Sequence, residues 1–172
     1  RALLALEAAP AIDRVVVVAP PGLEAETQAR CVAPFGLAKV VRVVAGGAER
    51  QDSVAAGANA AAELGAAWLV VHDAARPLAR PEIFAQTLAA ARECGAAIAA
   101  LPCVDTVKQA DDQGSIAATL DRGRLWLAQT PQVVNLELFR QAQAEARARG
   151  LVATDEAGLL EALGREVRLV PG

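Results

Sequence analysis

The run His72-Asp73-Ala74-Ala75-Arg76-Pro77 follows the apolar stretch Ala67-Trp68-Leu69-Val70-Val71 without interruption. A buried strand therefore ends in a carboxylate and an arginine. In an open parallel α/β sheet the carboxyl ends of the strands face the ligand crevice, so polar residues there are candidates for chemistry rather than packing. Asp73 offers hard oxygens to Mg²⁺ or another divalent cation, and Arg76 offers a planar fork to a phosphate. The structural counterpart is an ordinary strand exit with a solvated Asp and a proline stop, and the motif alone does not separate the two.

A second stretch points the same way. Val40-Val41-Arg42-Val43-Val44 runs into Ala45-Gly46-Gly47-Ala48-Glu49-Arg50-Gln51-Asp52-Ser53-Val54, which reads as a strand, a glycine pair and the start of a helix. Glycines permit a tight turn and close approach of backbone to a ligand, and a helix N-terminus presents unpaired N–H groups that favour phosphate. Arg50 and Ser53 fall in that first turn. The stretch departs from the G-x-x-x-x-G-K-S/T pattern, and no G-x-G-x-x-G occurs, which argues against a P-loop ATPase and a dinucleotide-dependent oxidoreductase.

The elements that must carry these residues read as an α/β alternation. With 172 residues, 54% hydrophobic and 3% aromatic, the chain has enough aliphatic surface for one substantial core. Strand-like runs fall at 14–19, 39–45, 67–72, 96–101 and 166–170. Helical periodicity covers 2–9, 23–32, 50–64, 80–94, 136–149 and 154–163, with Thr154 as the expected N-cap of the last. Strands alternating with helices predict a mainly parallel sheet covered on both faces. The exception is residues 103–122, where two alternating arms flank Asp111-Asp112-Gln113-Gly114. This predicts a β-hairpin projecting from the body, and because an isolated two-stranded ribbon is marginal in water, a second copy of the chain is the expected partner.

Charge and cysteine usage narrow the partners. A net charge of −3 and pI near 5.2 argue against general nucleic-acid binding, which needs a basic face. No apolar run reaches the roughly eighteen residues of a membrane span, and no signal peptide pattern is present, so a soluble cytoplasmic protein without membrane contact is expected. Cys31, Cys94 and Cys103 form neither a C-x-x-C nor a Cys/His cluster, so they are expected to be reduced. Lys39 and Lys108 are the only lysines, so a phosphate cradle here relies on arginines and backbone N–H groups.

Taken in order, the blocks Gly46-Gly47-Ala48-Glu49-Arg50-Gln51-Asp52-Ser53-Val54, His72-Asp73-Ala74-Ala75-Arg76-Pro77, Asp105-Thr106-Val107-Lys108, Thr119-Leu120-Asp121-Arg122 with Leu125-Trp126, Gln129-Thr130-Pro131-Gln132 and Thr154-Asp155-Glu156-Ala157 resemble the 2-C-methyl-D-erythritol 4-phosphate cytidylyltransferases of the non-mevalonate isoprenoid pathway. The resemblance implies a Rossmann-like nucleotidyltransferase fold, a homodimer joined by β-arms, and a Mg²⁺-dependent reaction of CTP with methylerythritol phosphate. By position it implies that Gly47, Arg50, Ser53 and Ala74 line the cytidine nucleotide, with Asp73 beside the triphosphate and its metal. Arg76, Asp105, Thr106, Thr130 and the partner's Arg122 would hold the methylerythritol phosphate. Asp73, Arg76 and Arg122 thus carry the catalytic reading. Lys108 receives no catalytic role. His72 is read as structural, since a phosphate monoester is already ionised enough to attack.

Family members begin with a strand and a Gly-rich loop bearing Arg and Lys, and continue with a lysine-bearing segment. Residues 1–172 are therefore read as one nucleotidyltransferase domain lacking both, with a β-arm at about 103–124. A ribitol 5-phosphate cytidylyltransferase shares most of these blocks and is the nearest alternative. A catalytically inactive nucleotide-binding or dimerisation module is the alternative from another class.

Overall fold

Ala96, Ala97, Ile98, Ala99 and Ala100 are all buried, as expected of a strand covered on both faces. In the computed structural model, which describes residues 1–151 and 155–172, they form most of a strand flanked by two others. The elements are α1 Ala2–Ala8, β1 Val15–Ala19, α2 Glu24–Thr27, β2 Val40–Ala45, α3 Arg50–Glu63, β3 Trp68–Val71, α4 Pro81–Cys94 and β4 Ala96–Pro102. They continue with β5 Lys108–Ala110, β6 Ile116–Thr119, β7 Trp126–Asn135, α5 Leu136–Arg149, α6 Glu156–Glu161 and β8 Arg168–Pro171.

The larger sheet has the order β3-β7-β4-β8. β4 and β8 are parallel, while β7 runs antiparallel to both β3 and β4. Three strands therefore share one direction and β7 alone opposes them. β1 and β2 form a separate parallel pair. The alternating α/β class follows from the sequence pattern, but β7 does not. Its Gln129, Thr130, Pro131 and Gln132 interrupt the apolar run that marks a strand. Thr130 and Gln132 nevertheless go inside because their polar atoms are hydrogen-bonded there.

Period-two alternation distributes β4 and β7 between two cores. Ala97 and Val133 pack with Leu88 and Ala91 of α4, whereas Ala96 and Val134 pack with Ala58 of α3, Phe139 and Ala142 of α5 and Leu160 of α6. Helices thus cover both faces. A third cluster joins Ile12 and Val15 to the fully buried Phe84 of α4, with Val70 of β3 against it. That contact anchors the strand whose end carries Asp73.

Two predicted helices are shorter than their periodicity. The segment expected at 23–32 is helical only over Glu24–Thr27, then passes through a π turn at Gln28–Val32 and a 3₁₀ turn at Ala33–Phe35. Pro34 removes a donor and Gly36, at φ 60°, closes the segment in the left-handed region. The last helix begins at Glu156, with Asp155 as its N-cap and the Asp155 side chain accepting from the Gly158 N–H. Thr154, expected as the cap, lies outside the described residues.

The predicted hairpin is present. β5 and β6 pair antiparallel as their own two-stranded sheet, and Gly114 takes φ 81° in the connecting turn. No disulfide links Cys31, Cys94 and Cys103. Among the described residues no helix is long and apolar enough to cross a membrane.

Candidate active site

The end of β3 and the start of α3 meet at an ion cluster. Asp73 lies 3.8 Å from Arg50 Nη2 and 3.5 Å from Arg76 Nε, and all three side chains are about two-fifths exposed. A turn from Asp73 to Arg76, closed by the Arg76 N–H on the Asp73 carbonyl at 3.0 Å, places that aspartate and arginine side by side.

Arg50 is held from behind. Its Nη1 and Nη2 donate to the two carboxylate oxygens of Glu156 at 2.8 and 2.9 Å. These bonds raise the Arg50 pKa, against the opposing effect of burial, so the guanidinium is firmly charged. The Glu156 carboxylate is buried at 5% exposure, while Arg50 remains open to solvent on its other side. Glu156 is in turn located by Gln132 of β7, whose Oε1 accepts from the backbone N–H groups of Glu156 and Ala157. The Gln132 amide nitrogen donates to Asp155 at 2.8 Å.

The glycine pair is explained first by packing. A Cβ on Gly47 would lie 2.2 Å from Cβ of Asp52, and one on Gly46 would lie 2.6 Å from Oγ of Ser53. The loop folds tightly over the first turn of α3, where Gly47 N–H donates to Ser53 Oγ at 3.1 Å. Glu49 and Asp52 form a capping box, with the Glu49 N–H donating to Asp52 Oδ2 at 3.3 Å. Gly47, Ser53 and Arg50 are therefore neighbours, as an anion site at this helix N-terminus requires.

Thr130 reaches the same place through strand register. The β3–β7 pairing sets Val71 against Gln132. Continuing it sets Asp73 against Thr130, whose hydroxyl accepts the Asp73 N–H at 3.2 Å. Nδ1 of His72 lies 3.0 Å from the same hydroxyl, and Nε2 lies 3.1 Å from the Arg76 carbonyl. Burial lowers the His72 pKa below its ordinary value, which favours the neutral ring.

The structure thus brings Gly47, Arg50, Ser53, Asp73, Arg76 and Thr130 together, with Ala74 exposed in the turn between Asp73 and Arg76. Asp105, Thr106 and Arg122 belong to the hairpin and its base. All three are exposed, and Arg122 Nη1 donates to the Val104 carbonyl at 2.8 Å within its own arm. Lys108 is likewise occupied within the hairpin, donating to Thr119 at 2.7 Å. Among the described residues no group of three or more His, Cys, Asp or Glu is placed to hold a metal ion. A single carboxylate such as Asp73 suits Mg²⁺ where substrate phosphates and water supply the other ligands.

This geometry belongs to a chain whose full length, residues 1–172, matches the sequence model of the 2-C-methyl-D-erythritol 4-phosphate cytidylyltransferases, IspD. The chain belongs to that family. It is 44% identical over 170 residues to the 2-C-methyl-D-erythritol 4-phosphate cytidylyltransferase of Pelotomaculum thermopropionicum, covering 99% of this chain and 71% of that relative. Against the bifunctional enzyme IspD/IspF of Desulforudis audaxviator it is 46% identical over 172 residues, covering all of this chain and 43% of the relative. The chain therefore spans less than half the length of that bifunctional relative. The crystal structure of the Thermus thermophilus cytidylyltransferase superposes with a TM-score of 0.79 at 38% identity, covering 99% of this chain and 75% of that one.

Sequence reasoning gave no role to Gln132 and Glu156. Both stand in motif blocks, but no local spacing marks their link to Arg50. Their separation from Arg50 along the chain concealed it.

Proposed function

We propose that the full-length protein joins CTP to 2-C-methyl-D-erythritol 4-phosphate, forming the CDP-alcohol and pyrophosphate in isoprenoid precursor synthesis, in the cytoplasm. The observation that carries this reading is the Arg50, Asp73 and Arg76 cluster where the end of β3 meets the start of α3, in a chain of this family. Residues 1–172 would supply the nucleotidyltransferase domain, with residues 103–124 as its arm.

An oxygen of the methylerythritol phosphate attacks the α-phosphorus of CTP, a new P–O bond forms, and the bond to the β-phosphate oxygen breaks in line. Two anions must be brought together and charge grows on the leaving pyrophosphate, so positioning and electrostatics dominate. Gly47, Arg50, Ser53 and Ala74 line the nucleotide. The guanidinium of Arg50 keeps N–H groups free of Glu156 for a phosphate oxygen. Arg76 and Arg122 of the partner subunit clamp the incoming phosphate, and Asp105, Thr106 and Thr130 hold the same substrate through its polyol.

Asp73 would hold Mg²⁺ together with phosphate oxygens, and the ion when bound neutralises charge on the triphosphate. The charge balance supports this assignment, because Arg50 and Arg76 already face the carboxylates of Asp73 and Glu156. A triphosphate entering here needs further positive charge.

A homodimer through the arm explains why Val104 and Ile116 are 75% and 67% exposed. Large apolar side chains on a two-stranded ribbon, as Ile116 is, and at its base, as Val104 is, fit a surface covered by a second copy. The charge of −3 supports a reading without nucleic acid. The test is release of pyrophosphate by the full-length protein with CTP, Mg²⁺ and methylerythritol phosphate together. Release is expected only when all three are present, and release in the absence of the polyol phosphate would point to a different acceptor.

A further inference from the structure

The two residues assigned above to metal and phosphate, Asp73 and Arg76, bound a single turn. Both backbone ends of that turn converge on one imidazole. At one end, Nε2 of His72 lies 3.1 Å from the Arg76 carbonyl oxygen. A carbonyl only accepts, so in the neutral ring Nε2 carries the hydrogen and Nδ1 is the acceptor. At the other end, Nδ1 lies 3.0 Å from the Thr130 hydroxyl, which must then donate to it. That same hydroxyl oxygen accepts the Asp73 N–H at 3.2 Å. Every donor in the chain from Asp73 N–H through Thr130 and His72 to the Arg76 carbonyl has one acceptor, and the direction of each bond is set by the next.

The ring itself is anchored in the core. Phe84 is fully buried and meets His72 edge to face, with centroids 5.1 Å apart and planes at 74°. The position of the turn is thereby tied to the α4 core through one side chain.

We infer that His72 is a positioning residue for nucleotidyl transfer, acting as the Nε2–H tautomer to clamp the Asp73–Arg76 turn through Thr130 and the Arg76 carbonyl. It touches no substrate. The inference rests on the functional reading above for what Asp73 and Arg76 do, while the clamp rests on the hydrogen-bond geometry alone. The clamp matters because an ion-binding carboxylate and a phosphate-binding fork must be held within about half an ångström of their working positions.

The test uses the full-length protein and has two parts. First, ¹⁵N shifts of histidine-labelled wild type, with the His72 signal assigned by its loss in His72→Gln, report which ring nitrogen is protonated. A protonated Nε2 with a bare Nδ1 is expected, and a bare Nε2 overturns the clamp. Second, steady-state kinetics with CTP, Mg²⁺ and methylerythritol phosphate compare His72→Phe with His72→Gln. Phe fills the ring volume against Phe84 but makes neither hydrogen bond, whereas Gln carries an amide N–H to the Nε2 position.

His72→Phe is expected to lower kcat by about 10- to 100-fold, as loss of a supporting hydrogen bond behind a ligand typically does, with KM for CTP changed less than about twofold. His72→Gln is expected to recover most of the lost kcat. Unchanged kcat in His72→Phe, or no recovery in His72→Gln, overturns the positioning role. A wild type that releases no pyrophosphate overturns the functional reading instead, and the nitrogen shifts then still judge the clamp.

Discussion

Arg50 and Glu156 stand 106 positions apart in sequence and share a two-pronged ion pair, with N–O distances of 2.8 and 2.9 Å. The pair joins the first turn of α3 to the first turn of α6, and it aims the exposed side of the guanidinium at Asp73. Replacing Glu156 by Gln keeps the shape and removes the charge. Arg50 is partly solvated and can recover water, so the expected loss of stability is modest, about 1–2 kcal/mol by denaturant titration. KM for CTP is expected to rise about fivefold or more, with kcat less affected, because the guanidinium proposed to bind the nucleotide loses a charge-assisted anchor. An unchanged KM for CTP would separate Arg50 from the nucleotide.

Arg76 presents a planar fork, and lysine in its place presents a point charge. Arg76→Lys is expected to raise KM for methylerythritol phosphate about tenfold or more through loss of the two-pronged contact, while KM for CTP stays within about twofold. Initial-rate measurements varying each substrate separately check this. A larger effect on CTP would move Arg76 to the nucleotide.

Gly47 has no room for a methyl group. The 2.2 Å approach of an added Cβ to Asp52 requires the loop or the α3 start to shift. Gly47→Ala is expected to destabilise the fold by about 1–3 kcal/mol, in the range of overpacking, and to weaken CTP binding measured by calorimetry. Wild-type stability and affinity would show that the loop relaxes without cost.

If the hairpin joins two copies and completes each site in trans, two defective chains can rescue one another. Asp73→Asn and Arg122→Ala are each expected to be nearly inactive alone. Co-refolded or co-expressed, they are expected to regain about a quarter of wild-type activity, since random pairing makes half the dimers mixed and each mixed dimer carries one intact site. Ile116→Asp on the exposed arm is expected to shift the protein towards monomer in sedimentation velocity. A mixture no more active than its components would place Arg122 in cis or outside the site.

Much of this arrangement was legible in the residues. The apolar run ahead of His72 identified β3, and the glycine pair followed by Arg50 identified the β2–α3 turn, because both depend on local periodicity and backbone sterics. The hairpin was legible for the same reason, from its turn residues and alternation. β7 was not, since Thr130 and Gln132 are polar residues whose burial depends on partners elsewhere in the chain, Asp73 and His72 for one and Asp155 and Glu156 for the other. The Arg50–Glu156 pair was hidden likewise, because a contact between two helix starts leaves no trace in local spacing. The glycine pair shows the converse case. Its positions were read as room for a ligand, and the first demand on them is the close approach of Asp52 and Ser53.

The acceptor separates this activity from its nearest alternative. The full-length protein, given CTP, Mg²⁺ and equal amounts of methylerythritol phosphate and ribitol 5-phosphate, can be followed by ³¹P NMR, with the CDP-alcohol identified by mass. The expected result is CDP-methylerythritol with an equivalent of pyrophosphate, and no product when EDTA replaces Mg²⁺. CDP-ribitol as the main product would contradict the acceptor assignment, and CTP binding with neither product would leave a nucleotide-binding module in place of an enzyme.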